Sequence, residues 1–236
     1  MTQHVNDQNW IAICIDFFIV VLGVFIGLQA SVFKENRDNA KAYRLAQNRL
    51  VAESQANHVA VQKFIQTNDN YLALVREAID ALEQCSGEVQ TAKIDTGLNI
   101  IRGTQTLRLR LGALSAMTHD DLLLSRQKES ERERLNELFR RLEQAQNTLN
   151  WLETWPHERP VEFNIQVGYD QLKEVQADIP FMNRALKLDV PAAQICQDKS
   201  LAKHFYLWER VATFQIVRAR QVEQWVAENL EIMQAR

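Results

Sequence analysis

Glycine, proline and cysteine are scarce in this chain: seven, four and three residues respectively in 236. So few turn formers argue against a fold of many short strands and tight turns, and favour long helices. Three cysteines are too few for a disulfide-dense secreted scaffold. Charge of one sign is not concentrated anywhere; 27 basic and 30 acidic residues are interspersed and give a formal net charge of -3. A basic stripe that could neutralise a phosphate backbone is therefore missing, and no nucleic-acid partner is expected. Catalytic signatures are missing too, with no HExxH, C-x-x-C, GxSxG or P-loop pattern. The five histidines, His4, His58, His119, His157 and His204, are dispersed. His119 beside Asp120 and Asp121 is the one compact polar cluster, and it reads better as a solvated helix start than as a metal site. The aromatic group His204, Phe205, Tyr206 and Trp208 reads as packing in a final helix. The expectation is a protein without enzymatic activity, cofactor or metal.

One long apolar run is present. From Trp10 to Phe33 the sequence WIAICIDFFIVVLGVFIGLQASVF carries a single carboxylate, Asp16, and a small-residue pair, Gly23 and Gly27. About 24 helical residues at roughly 1.5 Å each reach about 36 Å, more than a hydrocarbon core of about 30 Å. Mean hydropathy of the whole chain is only -0.30, so the apolar excess sits in this run and the remainder resembles a water-soluble body. The nine residues before it contain no Lys or Arg and Leu28-Gln29-Ala30 is a poor cleavage site, which favours an uncleaved membrane anchor over a signal peptide. The lipid bilayer is thus the first expected partner.

The body reads as helical. Between Phe33 and Gln84 there is neither Gly nor Pro, and Val61, Ile65, Asn68, Leu72, Val75, Ile79 and Leu82 recur at alternating four and three spacing, a heptad seam with one polar interruption. Before Val61 the apolar pattern is thin, so residues 34–60 read as a solvated helical stalk. A second helical region spans about Lys93 to Met117, broken by Gly103 and Gly112. Thr118 is the expected N-cap of the next helix, with Asp121 three positions on. Leu135, Leu138, Leu142, Ala145, Leu149 and Leu152 give another seam, ending near Trp155-Pro156. In the last helix, from about Asp198, the expected buried face is Leu201, Phe205, Trp208, Val211, Phe214, Val222, Val226, Leu230 and Met233. Two short stretches, Leu107–Leu111 and Val161–Val167, alternate with period two and are the candidates for a minor two-stranded ribbon. With long helices on every side, the expected class is all-α: a tail (1–9), a transmembrane helix (10–33) continuing as a stalk (34–60), and an elongated antiparallel helical or coiled-coil body (61–236).

The run from Asn9 to Ala30, followed by ENRDNAKAYRLAQNRL, resembles the N-terminus of uncharacterised bacterial single-span membrane proteins built on an acid-x-hydrophobic-VVxGxxIxxQ motif. Asp16, Gly23, Gly27 and Gln29 are the matching positions, and THDDLLLS at Thr118–Ser125 is a fainter echo of a Thr-x-Asp-x-Leu-x-Ser segment. The resemblance covers the first 45 residues well. Basic residues before the span and an Asn-Trp-Asn after it, usual there, are replaced here, the latter by Ser31-Val32-Phe33. It implies an inner-membrane protein with a cytoplasmic N-terminus and a periplasmic body, and brings no activity.

Orientation is contested within the chain. Lys34, Arg37, Lys41, Arg44 and Arg49 follow the span while nothing basic precedes it, which would hold the body in the cytoplasm. Cys85 and Cys196 lie at polar breaks between helices, as a disulfide joining two loops would; two unrelated thiols are the alternative. Together with the resemblance, the cysteines favour a periplasmic body, the opposite orientation remaining the alternative.

At about 100° per residue, Asp16, Val20, Gly23, Gly27 and Ala30 fall within about 80° of one another. A carboxylate at membrane depth is expected to face protein or water, and Gly-x-x-x-Gly admits a closely approaching helix. Near Trp10 the carboxylate could also simply be hydrated. The expected function is that of an accessory or scaffold subunit whose membrane helix contacts another membrane protein or a second copy. An alternative follows from Trp10-x5-Asp16-Phe17, which resembles the span of flagellar motor stator B and ExbD-type subunits. That resemblance implies Asp16 as an intramembrane proton carrier.

Overall fold

The computed structural model of the chain describes residues 4–84, 88–158, 160–175, 181–195 and 199–235. Cys85 and Cys196 lie outside the described residues. The first helix, α1 (His4–Gln84), is 81 residues long without interruption, a rod of about 120 Å. Its surroundings change along its length. From Cys14 to Asp38 every residue is exposed. A buried stripe then begins at Leu50, 2% exposed, and passes through Ser54, Asn57, Val61, Phe64, Asn68, Leu72, Val75, Ile79 and Leu82. The three and four spacing expected from Val61 onward is present, with Phe64 buried and Ile65 only partly so. Full burial nevertheless begins at Leu50 rather than Val61, Tyr43 and Ala46 pack partly against the same core, and Arg126 bonds Asn36, so most of the expected stalk lies against the body. Polar Ser54 and Asn57 hide this stripe from an apolar count.

Helix α2 (Glu88–Ile101) folds back along the end of α1. The two helices approach closely because Gly97 has no side chain; a Cβ there would lie 2.5 Å from the Ala78 Cβ and 2.6 Å from the Phe205 ring. Residues 103–111 form neither helix nor strand; exposure alternates at Leu107, buried, and Arg108, exposed, but the segment pairs with no strand. Helix side chains take the place of a neighbouring strand. Asn57 on α1 donates to Arg110 O (2.7 Å) and accepts from Arg110 N–H (2.8 Å). From the other side, Gln146 accepts from Leu109 N–H (2.7 Å) and donates to Leu107 O (2.9 Å).

Helix α3 (Gly112–His119) follows, and its first free N–H groups, on Ala113 and Leu114, donate to the Glu53 carboxylate of α1 at 2.8 and 3.0 Å. A carboxylate suits that helix end because unsatisfied N–H groups and the helix dipole both favour negative charge. Thr118 is not an N-cap: it ends α3 and its hydroxyl donates back to Leu114 O and Ser115 O. The cap of the short α4 (Asp121–Leu124) is Asp120, whose carboxylate accepts from Leu122 N–H at 2.9 Å.

The long α5 (Glu129–Glu158) buries Leu135, Leu138, Leu142, Ala145, Leu149 and Leu152, the expected seam, and runs past Pro156 to Glu158. After a single 3-10 turn at Val161–Phe163 the chain forms an antiparallel ribbon of β1 (Val167–Val175) and β2 (Phe181–Leu188). The fold is therefore mostly helical rather than all-α. A ribbon exists, but its strands are these two and not the pair expected from period-two alternation. It lies on α2, whose Asn99 and Asp95 bond β2.

After the short α6 (Ala192–Ile195), the last helix α7 (Ser200–Gln234) runs back along α1. Tyr206 with Glu83 (2.9 Å), Arg76 with Glu209 (2.7 Å) and Arg220 with Asp69 (3.0 Å) fix the antiparallel direction. Such exposed pairs contribute at most about 1 kcal/mol each; apolar burial does the rest. The expected face of α7 is buried except at Met233, partly covered, and Phe214, 52% exposed, which turns outward under the Arg210 guanidinium while Ile216 takes the core position.

Two apolar cores result. The near one joins Leu50, Val61 and Phe64 to Leu114, Met117, the α5 seam and Ala219–Leu230 of α7. The far one joins Leu72–Leu82 to α2, the ribbon and Leu201–Ile216. Arg126, in the turn before α5, donates to Asn36 O (3.0 Å) and its side-chain oxygen (2.8 Å), which places that turn three residues beyond Phe33.

Replacing Asn57 by Leu leaves the Arg110 N–H and C=O without partners, at an expected loss of about 1–3 kcal/mol in urea unfolding, whereas exposed Asn70→Leu shifts stability by less than about 0.5 kcal/mol. Burial raises the Asp95 carboxyl above its ordinary 3.8, against the lowering effect of the Leu188 N–H bond. The folded carboxyl then holds its proton more tightly than the unfolded one, so its contribution is fully present below 3.8 and is lost as pH rises through the raised folded value. Asp95→Asn keeps an acceptor for Leu188 and removes that loss. The variant's advantage over the parent in urea midpoint should be larger at neutral pH than in acid.

Candidate functional site

The residues singled out on the apolar N-terminal part of α1 sit on one open surface. Asp16, Val20, Gly23, Gly27 and Ala30 are all exposed, and a Cβ placed on Gly23 or Gly27 would meet nothing within 4 Å. Around them the surface is apolar on every side of the helix, including Phe17, Phe18, Ile19, Val24, Phe25 and Phe33. By length and composition α1 is the one described helix apolar enough to cross a membrane, with a mean hydropathy of 2.2 in that window and none of it buried. An apolar belt of this extent is far beyond what monomeric soluble proteins leave in water.

Every residue from Cys14 to Asp38 is exposed, so a second helix has room to lie along residues 16–30. Gly97 gives the contrast: there a missing Cβ is required by Ala78 and Phe205, whereas Gly23 and Gly27 satisfy no contact within the chain. Each glycine costs a helix about 1 kcal/mol relative to alanine, and nothing in this fold offsets that.

Other sequence candidates disperse. His119 ring nitrogen Nδ1 lies 2.9 Å from Thr118 Oγ1 and from Ser115 O, and its ring packs edge-on against Phe139; Asp120 is occupied as a helix cap. Among the described residues no group of three His, Cys, Asp or Glu side chains is placed to hold a metal ion. The aromatic set divides too. Phe205 and Trp208 are core residues, Trp208 donating to Gly103 O at 2.9 Å, while Tyr206 faces out and donates to Glu83. That bond to a carboxylate holds the Tyr206 hydroxyl above its ordinary pKa of 10.0.

One groove was not anticipated. Ala42, Leu45, Ala46 and Arg49 of α1 face Gly112, Ala113, Ala116 and Leu122 across a cleft of about 420 Å³. A signal for it is present in the sequence, since Ala42, Leu45, Ala46 and Arg49 share one helix face, but only the return of α3 supplies the opposite wall. Compared with known proteins, the chain matches no family model, no curated protein and no solved structure.

Proposed function

We propose that this is a bitopic inner-membrane scaffold or accessory subunit that acts through helix contacts and catalyses nothing itself. The observation that carries the reading is that Gly23 and Gly27, where a Cβ would meet nothing within 4 Å, share an exposed helix face with Asp16. In lipid, helix association depends on close packing and interhelical polar contacts rather than on the hydrophobic effect, and small residues beside a carboxylate supply both. The partner is another membrane protein or a second copy, met within the bilayer. The body, packed as an antiparallel coiled-coil-like bundle, would stand on the periplasmic side with the N-terminus in the cytoplasm. The N-terminal motif supports placing the chain with the single-span bacterial proteins it resembles. A disulfide between Cys85 and Cys196 fits that side of the membrane.

Interhelical contacts of this kind are worth about 1–2 kcal/mol each, so Gly23→Leu with Gly27→Leu should weaken the assembly roughly tenfold or more. Size-exclusion with light scattering in mild detergent reads this directly. A wild-type protein that is monomeric with nothing copurifying would end the interface reading, as would a double variant that assembles normally.

The stator-like reading gives Asp16 a different role. Among the described residues the carboxylate has no ion-pair partner, so a proton or a partner's polar group must satisfy it in lipid. Asp16→Asn separates the two: intact assembly with loss of an ion-coupled phenotype favours proton carriage, and lost assembly favours packing. Side is tested separately. In spheroplasts, added protease should digest the body, and non-reducing peptide mapping should join the peptides bearing Cys85 and Cys196; protection from protease together with free thiols would reverse the orientation.

A further inference from the structure

The body begins close to the end of the apolar run. Asn39 and Ala40 of α1 are already half-buried, and the turn between α4 and α5 reaches further down. There Arg126 donates from Nη2 to Asn36 O (3.0 Å) and to the Asn36 side-chain oxygen (2.8 Å). Asn36 is three residues past Phe33, so this contact lies about 4.5 Å along the helix axis from the last apolar residue. The turn is also fixed from within. Gln127, 8% exposed, donates to Met117 O (2.6 Å), and Arg132 donates to Leu124 O (2.8 Å). Outside a hydrocarbon core of about 30 Å, a headgroup layer of about 5–7 Å follows on each side. A span that ends at Phe33 therefore sets Arg126 inside that layer, whichever side of the membrane the body occupies.

We propose, on the membrane reading above, that the turn Ser125–Lys128 is seated in the phospholipid headgroup layer with Arg126 on a lipid phosphate. Arg126 is exposed, and only its Nη2 is engaged; its Nε and Nη1 N–H groups meet no acceptor among the described residues. A guanidinium with donors to spare suits a phosphate, whose oxygens it can take two at a time. Position selects the occupant: a soluble protein or free anion would have to enter the headgroup layer to reach this turn, whereas lipid is already there. Charge narrows the class of lipid. Around Arg126 the surface is mixed rather than basic, with Lys34, Arg37 and Lys128 exposed but Glu35, Asp38 and Glu129 exposed as well. That mixture fits zwitterionic headgroups, which carry both signs, and calls for no anionic lipid. The body would thus rest on the bilayer surface instead of standing off it.

The test uses the full chain in phosphatidylcholine nanodiscs, which leave both faces accessible. The photoreactive residue p-benzoylphenylalanine is placed singly at Ile19, Ser125 or Val59, and lipid adducts are read by mass spectrometry after illumination. Val59 is exposed and lies about 39 Å of helix beyond Phe33. Adducts are expected at Ile19 and Ser125 and not at Val59. Arg126→Glu should cut the Ser125 yield by about threefold or more, whereas Asn36→Ala, which removes only the side-chain half of the internal contact, should leave it unchanged. Adducts at Ile19 alone overturn the seating of the turn and spare the span; none at Ile19 ends the membrane reading and the seating with it. Equal yields at Val59 and Ser125 overturn the seating too, because the rod would then lie along the bilayer. A Ser125 yield that ignores Arg126→Glu, or falls as far with Asn36→Ala, removes Arg126 from the phosphate.

Discussion

The body beyond the apolar N-terminal part of α1 is held by the seam between α1 and α7. Both apolar cores use it: Leu50 to Phe64 and Ala219 to Leu230 at the near end, Leu72 to Leu82 and Leu201 to Ile216 at the far end. Neither core is large, and neither α5 nor the ribbon reaches both. Their joint stability therefore rests on two helices that run the length of the body and share one register, which the ion pairs at Asp69 and Arg76 and the Tyr206–Glu83 hydrogen bond help to select.

A second device attaches the irregular segments to that frame. Extended backbone buried against helices would carry unsatisfied N–H and C=O groups. Here amide and carboxylate side chains do what a neighbouring strand would do, Asn57 and Gln146 for residues 107–110, Asn99 and Asp95 for β2, Glu53 for the start of α3. The same chemistry explains what sequence patterns could and could not reveal. The α5 seam from Leu135 to Leu152 was legible because apolar spacing alone determines it. Alternation at Leu107–Leu111 suggests a ribbon strand, but the segment is no strand and its backbone is met instead by an asparagine on one helix and a glutamine on another. Asn57 looks like a gap in an apolar stripe, so the body seems to begin at Val61 when full burial begins at Leu50 and partial packing at Tyr43. Thr118 and Asp120 compete as caps, and only the direction of the chain after α3 decides for Asp120. Phe214 fits the helical period as well as its neighbours do, yet the α7 core follows Gln215 and Ile216.

The exposed face of the apolar segment is legible in a different sense: spacing alone gathers Asp16, Val20, Gly23, Gly27 and Ala30, and only the structure shows that no other described element covers them.

Because α1 passes unbroken from its apolar segment into both cores, with Arg126 bracing it at Asn36, the molecule is a lever with no joint at its fulcrum. A tilt of about 10° in the segment ending at Phe33 moves the ribbon sideways by about 10–13 Å, given a helical arm of about 60–75 Å. Small changes in the direction of the apolar end thus become displacements at the far end as large as a helix diameter.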